Sequence, residues 1–268
     1  MLGRSTTLTD VTTDTPVNYD VVAEKDGAQA IRFWAADVPP VGYKVYRMGR
    51  GQTQKASPAE QTLGNIVENR FYKITLDPSR AAIEGIYDKE LRRELVDASS
   101  PYRVNEYLLV AGGGTETGRG TGEENTRLLI QWFWLPPAEL TIYHAEQGSL
   151  ASVETTAWGK KIRMTASALR TPRIETEILL PDDVKRIELR NVVQVNLPYA
   201  KQAAYFAFPW ALSSPTFRYD IANGFVNPAK DLLEGGCAEW FSVQQVVNTE
   251  DGTASVDLAI VDSPLVCL

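Results

Sequence analysis

Aromatic rings and charged side chains alternate in one loop-like stretch of this chain, residues 210–241. Trp and Tyr rings stack on the apolar faces of sugars, and carboxylates, amides and guanidinium groups bind sugar hydroxyls. The stretch therefore predicts a surface that binds carbohydrate or docks against a neighbouring domain. Its candidate residues are Trp210, Arg218, Tyr219, Asp220, Asp231, Glu239 and Trp240. The alternative is that these rings fill the rim of a folded core.

The sequence offers little for metal or nucleophile chemistry. Its one histidine, His144, ends an apolar segment that reads as a strand. A zinc site normally takes three or four His, Cys or carboxylate ligands, and a Ser-His-Asp triad on a Gly-x-Ser-x-Gly elbow has no counterpart here. We therefore expect a structural or surface role for His144, and we assign no catalytic residue, metal ligand or cofactor. A glycosidase-like pair of carboxylates stays open, because the sequence gives no separations between acids.

The glycine-rich segment at residues 112–122 resembles a phosphate-binding loop only superficially. It lacks the Gly-Lys-Ser/Thr ending of such loops, and Glu116 would repel a phosphate group. Glycine at this density favours disorder. We expect a mobile hairpin loop here.

Composition narrows the function classes. The 268 residues include 34 acidic and 27 basic side chains, a net charge of −7, which argues against nucleic-acid or anionic-membrane partners. No apolar run approaches the roughly 20 residues of a membrane helix, and the N-terminus has no signal-peptide pattern, so we expect a cytoplasmic protein. Cys237 and Cys267 lack the number and spacing of a disulfide framework. They are expected to be free, buried thiols.

Hydrophobic periodicity predicts an all-β fold. Apolar and polar residues alternate at 173–180 and 185–195, which is typical of antiparallel strands with one buried face. Further strands are expected at residues 66–76, 83–87, 127–135, 140–144, 161–168, 201–208, 238–247 and 255–261. Helical periodicity is sparse, with at most a turn or two at 90–96 or 228–233. Such a strand density predicts a large antiparallel two-sheet sandwich.

Three segments divide the chain. Residues 1–50 read as part of a small β-module, with a strand at 30–35 and a Pro/Gly corner at 38–46. Residues 51–64 are rich in Gly, Ser, Gln and Pro without apolar periodicity, as in a linker. Residues 65–268 form the predicted sandwich.

Several unusual sequence motifs in these segments resemble those of a known family. ENRFY and IYDKEL (residues 68–72 and 86–91), YFAFPWAL (205–212), FRYD (217–220) and AEWFSVQ (238–244) occur in order. They resemble the large β-domain that follows the catalytic barrel in glycoside hydrolase family 38, the α-mannosidase family. The phrase at 38–46 resembles the small β-module of the same family. The resemblance covers residues 30–268 and implies a supersandwich like that of galactose mutarotase.

The resemblance also implies a function and its partners. In family 38 the nucleophile and the zinc ligands belong to the N-terminal barrel, whose motifs do not occur in this sequence, so zinc is expected there and not in this chain. The domain would support the barrel as its partner and help to form a cleft for mannoside-type carbohydrate. Because the family's β-region continues past the phrase at 262–268, a truncated last sheet is expected. The alternatives are a free-standing carbohydrate-binding module and an aldose epimerase of the same fold.

Overall fold

The computed structural model describes residues 6–25, 28–50, 64–112, 140–196, 202–263 and 265–268. Regular structure in this part of the chain is almost entirely β, with one 3₁₀ turn (Pro78–Arg80) and one four-residue helix. All strand pairs are antiparallel. The all-β sandwich expected from the sequence is confirmed.

The described residues between 6 and 50 form two small antiparallel sheets. Their strands are β1 (Thr6–Asp10), β2 (Thr15–Pro16), β3 (Tyr19–Lys25), β4 (Ala28–Phe33) and β5 (Tyr46–Arg50). One sheet has the order β2-β1-β5, and β3 and β4 form a hairpin. The Tyr19 hydroxyl donates to the Thr6 carbonyl at 2.5 Å. This hydrogen bond joins the hairpin to the first sheet, and we call the two sheets together the small module.

The large sandwich follows. Its strands are β6 (Ile66–Glu68), β7 (Tyr72–Asp77), β8 (Ala82–Asp88), β9 (Arg93–Glu94), β10 (Glu106–Gly112), β11 (Leu140–His144), β12 (Glu146–Thr156), β13 (Gly159–Ala168), β14 (Thr171–Pro181), β15 (Glu188–Gln194) and β16 (Gln202–Ala207). They form three sheets, ordered β6-β7-β8-β9, β11-β10-β16 and β12-β13-β14-β15.

One continuous core lies between these three sheets. On β14 the even-numbered side chains Ile174, Ile178 and Leu180 are at most 1% exposed. On β13 the even-numbered Ile162 and Met164 join them at 0% and 1%. Because strand side chains alternate between faces, the odd-numbered residues of both strands point away from this core. The outer face of the β12–β15 sheet is therefore the polar one.

Close backbone contacts fix how the layers meet. A side-chain carbon added at Gly148 on β12 would lie 2.1 Å from the carbonyl oxygen of Pro78 in the 3₁₀ turn. Asn69 donates from Nδ2 to the Pro181 carbonyl at 2.5 Å and accepts from the amides of Phe71 and Tyr72. These contacts tie the turn-rich edge of one layer to the long strands of the other.

The last part of the chain has its own sheet and its own small core. Its elements are β17 (Thr216–Ile221), β18 (Gly224–Val226), α1 (Pro228–Asp231), β19 (Phe241–Ser242), β20 (Val246–Glu250), β21 (Ser255–Ala259) and β22 (Leu265–Val266). The sheet order is β18-β17-β20-β21, and β19 pairs with β22. Tyr219, Phe241, Val243 and Val247 form a second buried cluster. We call residues 213–268 the C-terminal unit.

The observed strands agree with the sequence expectation in many places and differ in others. Strand β12 was not expected, and residues 69–71 interrupt the strand expected at 66–76. The strand expected at 238–247 is wrong, since residues 243–245 interrupt it between β19 and β20. The stretch 216–221, which was interpreted as loop-like, is strand β17. Of the two expected helical turns, the one at 228–233 forms, whereas residues 90–96 contain strand β9 instead. Both cysteines are free, but they are exposed and not buried. The expectations for residues 51–63, 113–122 and 127–135 lie outside the described residues.

Candidate functional site

The residues predicted at 210–241 divide between two cores and the surface. Trp210 packs against the sandwich core, 6.0 Å from Phe208 between ring centroids, and its backbone bridges to Val96. Tyr219 is 7% exposed and lies 5.2 Å from Phe241 in the core of the C-terminal unit. These two rings therefore do not share one patch.

The charged residues of this stretch mostly stabilise local backbone. Arg218 pairs with Glu250 on the neighbouring strand. Asp220 accepts hydrogen bonds from the amides of Gln244, Gln245 and Val246 at 2.8–3.1 Å. These amides, led by that of Val246, hold the pKa of the Asp220 carboxyl below its ordinary value. Asp220 thus fixes the turn that leads into β20.

The remaining predicted residues lie at the surface. Asp231 accepts from the amide of Asn227 at 2.7 Å and closes the short helix α1. Glu239 is exposed. Trp240 is 37% exposed, and its ring centroid lies 5.4 Å from that of Tyr205. Burial raises the pKa of the Tyr205 hydroxyl, and Cys267 and Glu239 add smaller contributions in the same direction. Trp240 is thus the predicted ring that stays open to contact, and the binding role of the whole set stays a prediction.

The lone histidine belongs to a hydrogen-bonded cluster around one buried carboxylate. Glu106 is fully buried, and its carboxylate accepts from His144 Nδ1 at 2.7 Å and from Arg80 Nη1 at 3.0 and 3.1 Å. It also accepts from the backbone amide of Arg103 at 2.7 Å. Tyr102 stacks on the His144 ring at 5.9 Å. All these contacts are internal, so the cluster ties β10, β11 and the 3₁₀ turn together.

A concave site lies elsewhere, where the small module meets the outer face of the sandwich. It is a cavity of about 360 Å³, within the range of roughly 300–1,000 Å³ that is typical of small-molecule sites. Its lining residues are Arg32, Phe33, Trp34, Trp158, Glu177, Leu179, Arg186, Glu188, Leu189 and Arg190. We call it the junction pocket.

The two sides of the junction pocket come from distant parts of the sequence. Arg32, Phe33 and Trp34 end the β3–β4 hairpin, while Glu177 and Leu179 lie on the outer face of β14. The amide of Ala157 donates to Asp20 at 3.2 Å, which attaches the hairpin to the β12–β13 turn. Leu179, on an otherwise charged face, is only 8% exposed. A small module packed over this face explains that burial.

Both carboxylates in the junction pocket are already paired. Glu177 forms ion pairs with Lys161 at 2.8 Å and with Arg163 at 3.3 Å. Burial by itself would raise the pKa of the Glu177 carboxyl. The two cations, Lys161 first, outweigh this effect, so the pKa is lowered. Glu188 pairs with Arg186, whose guanidinium carbon lies 5.3 Å from the centre of the Trp34 ring.

Arg32 and Arg190 are the uncommitted charges in the junction pocket. Arg190 lies directly opposite Glu177 in the strand register, but Glu177 turns to the other neighbouring strand. Neither Arg32 nor Arg190 has an ion pair or side-chain hydrogen bond to any residue that the structure describes. The pocket therefore combines aromatic rings with two unpaired cations, which is a composition suited to a ring-shaped anionic ligand.

The sequence carries a signal for the junction pocket that none of the predictions above used. Leu179 breaks the alternation by placing an apolar residue on a polar strand face, which indicates a cover on that face. Trp34 and Trp158 both stand at strand ends near charged residues. What joins them is the packing of the small module, which periodicity does not reveal.

Among the described residues, no group of three or more His, Cys, Asp or Glu side chains is arranged to hold a metal ion. The same residues include no helix of the length and apolar character needed to span a membrane.

Comparison with known families identifies the family of this chain. Residues 67–253 match the family model described as "Glycosyl hydrolases family 38 C-terminal domain". The chain belongs to this family. The match confirms the resemblance carried by residues 68–91 and 205–244. It begins at the second residue of β6 and ends after β20, so this family 38 domain includes both the sandwich and most of the C-terminal unit.

A solved structure shows the same fold over nearly the whole chain. The family 38 domain is similar to the crystal structure of an alpha-mannosidase from Enterococcus faecalis V583, with a TM-score of 0.59 and 11% sequence identity. The likeness covers 99% of this chain and 34% of that one. The domain thus spans about a third of the length of the solved protein. A search of the curated proteins found no match.

Proposed function

We propose that this family 38 domain is the non-catalytic β-sandwich of an α-mannosidase-like glycoside hydrolase. It supports a zinc-dependent catalytic barrel and helps to form the carbohydrate-binding cleft of that barrel. The observation that carries the proposal is the family match over residues 67–253. The alpha-mannosidase of the same fold is about three times as long as this chain, which leaves room for a barrel in a protein of that kind.

The C-terminal unit supplies the surface for docking. Large apolar side chains stay exposed along residues 221–240: Ile221 at 41%, Phe225 at 63%, Leu233 at 86% and Trp240 at 37%. Single exposed apolar residues are ordinary, but four within twenty residues of one unit give a partner several apolar side chains to bury. The exposed carboxylate of Glu239 lies beside Trp240 in the sequence. We therefore place the barrel contact on this unit.

Activity assays test the non-catalytic role directly. The chain alone should not hydrolyse aryl α-mannosides, with or without added zinc. Addition of a family 38 catalytic barrel as a separate chain should give a complex, and the complex should hydrolyse the same substrate faster than the barrel alone. Zinc-dependent turnover by the chain alone, abolished by His144→Ala, would overturn the proposal.

A matched pair of variants tests the docking surface. Trp240→Ala should weaken binding of the barrel at least about tenfold, as central aromatic anchors of interfaces do. The same variant should change the free energy of unfolding of the chain by about 1 kcal/mol or less, because the ring is partly exposed. Tyr87→Ala is the control, since Tyr87 is 39% exposed on a different sheet. Equal binding by both variants would show that the C-terminal unit does not contact the barrel.

A further inference from the structure

The junction pocket has chemistry that support of a barrel does not require. Support needs packed layers, yet this pocket has three aromatic rings, Phe33, Trp34 and Trp158, beside two unpaired guanidinium groups. Both arginines are exposed to solvent, so their guanidinium groups are free to meet an incoming anion beside the rings.

We propose that the junction pocket binds an anionic saccharide, a sugar that carries a carboxylate or a phosphate. The sugar ring lies against the aromatic side chains, and its acidic group pairs with Arg190 and Arg32. Guanidinium groups bind both carboxylate and phosphate in a two-pronged geometry, so both anions share the same chemistry. Glu177 and Glu188 stay with their present basic partners and do not repel the ligand's charge at full strength.

Binding to the isolated chain tests this site without any barrel, so its failure and the failure of the proposed function are distinguishable. Isothermal titration with glucuronate, mannose 6-phosphate, mannose and inorganic phosphate supplies the four probes. Binding of glucuronate or mannose 6-phosphate at least about tenfold tighter than mannose supports the proposal, and the stronger of the two identifies the anion. Inorganic phosphate should bind at least about tenfold more weakly than the sugar phosphate, since it lacks a ring to stack.

Variants locate the site. Arg190→Gln should weaken binding of the acidic sugar at least about tenfold, the effect expected on loss of a charge-assisted hydrogen bond. Arg173→Gln is the matched control: Arg173 lies on the same sheet, is exposed, and pairs with Glu175 outside the pocket. Trp34→Ala should weaken binding of the acidic sugar and leave the affinity for inorganic phosphate unchanged.

Four results would overturn the proposal. They are no binding of either acidic sugar at millimolar concentration, binding of both acidic sugars no tighter than that of mannose, inorganic phosphate bound as tightly as the tighter acidic sugar, and equal losses of affinity in Arg190→Gln and Arg173→Gln. A change of unfolding midpoint in Arg190→Gln is measured in parallel by urea titration. An unchanged midpoint shows that any lost affinity arises from the lost contact and not from unfolding.

Discussion

Replacement of Glu106 by glutamine is the sharpest test of what holds the sandwich together. The substitution keeps the size of a fully buried side chain and removes its charge. Glu106 accepts two hydrogen bonds from Arg80, one from His144 and one from the Arg103 amide. An amide has one acceptor oxygen where the carboxylate has two, and its NH₂ group faces donors. Glu106→Gln must therefore lose part of this set.

The structure sets the size of the loss. Removal of one partner from a buried ion pair costs about 3–5 kcal/mol because the other charge is left without compensation. The side chain of Arg80 is 31% exposed and that of His144 is 38% exposed, so water replaces part of what the carboxylate provided. We expect Glu106→Gln to lower the free energy of unfolding by about 2–3 kcal/mol.

Urea denaturation followed by tryptophan fluorescence measures this change. The dependence of the unfolding free energy on urea concentration should be the same in wild type and variant, so that a shift of the midpoint reports a change in stability. Glu175→Gln is the control, because Glu175 forms an exposed pair with Arg173 and should cost about 0.5 kcal/mol or less. If the uncompensated Arg80 charge causes the loss, Arg80→Met in the Glu106→Gln background should restore part of the stability. A change in Glu106→Gln no larger than that of the control would refute the reasoning.

Three further predictions follow from the geometry. Gly148→Ala should destabilise the chain by about 2 kcal/mol or more, because its new carbon would lie 2.1 Å from the Pro78 carbonyl oxygen, whereas Gly224→Ala, with no atom within 4 Å, serves as the control in thermal melts. The amides that bind Asp220 lower the pKa of its carboxyl. Its contribution to stability is therefore fully present above the ordinary carboxyl pKa and is lost as the pH falls through the lowered value. Asp220→Asn should flatten the acid limb of a curve of unfolding free energy against pH. Both cysteines are free and exposed, so iodoacetamide should add two labels to the native chain without denaturant, and a native mass with fewer labels would contradict this.

Much of the fold is encoded in local patterns. The alternation at 173–180 is strong because Ile174, Ile178 and Leu180 all face one core, and a shift of register by one residue would expose every one of them. The family phrases also rest on local sequence, and the match over residues 67–253 confirms them. The interruption at 243–245 was not predictable in this way, because it arises from a contact with Asp220, more than twenty residues earlier.

The candidate sites show where local patterns stop. Trp210 and Tyr219 look equivalent in sequence, as aromatic residues among polar neighbours, but one packs on the sandwich core and the other on the core of the C-terminal unit. The chain by itself determined the residue types, the β periodicity and the family. Only the tertiary structure decided that Trp34, Trp158 and Arg190 share a pocket, because their proximity depends on how the small module packs across the β12–β15 sheet, a contact between segments more than a hundred residues apart.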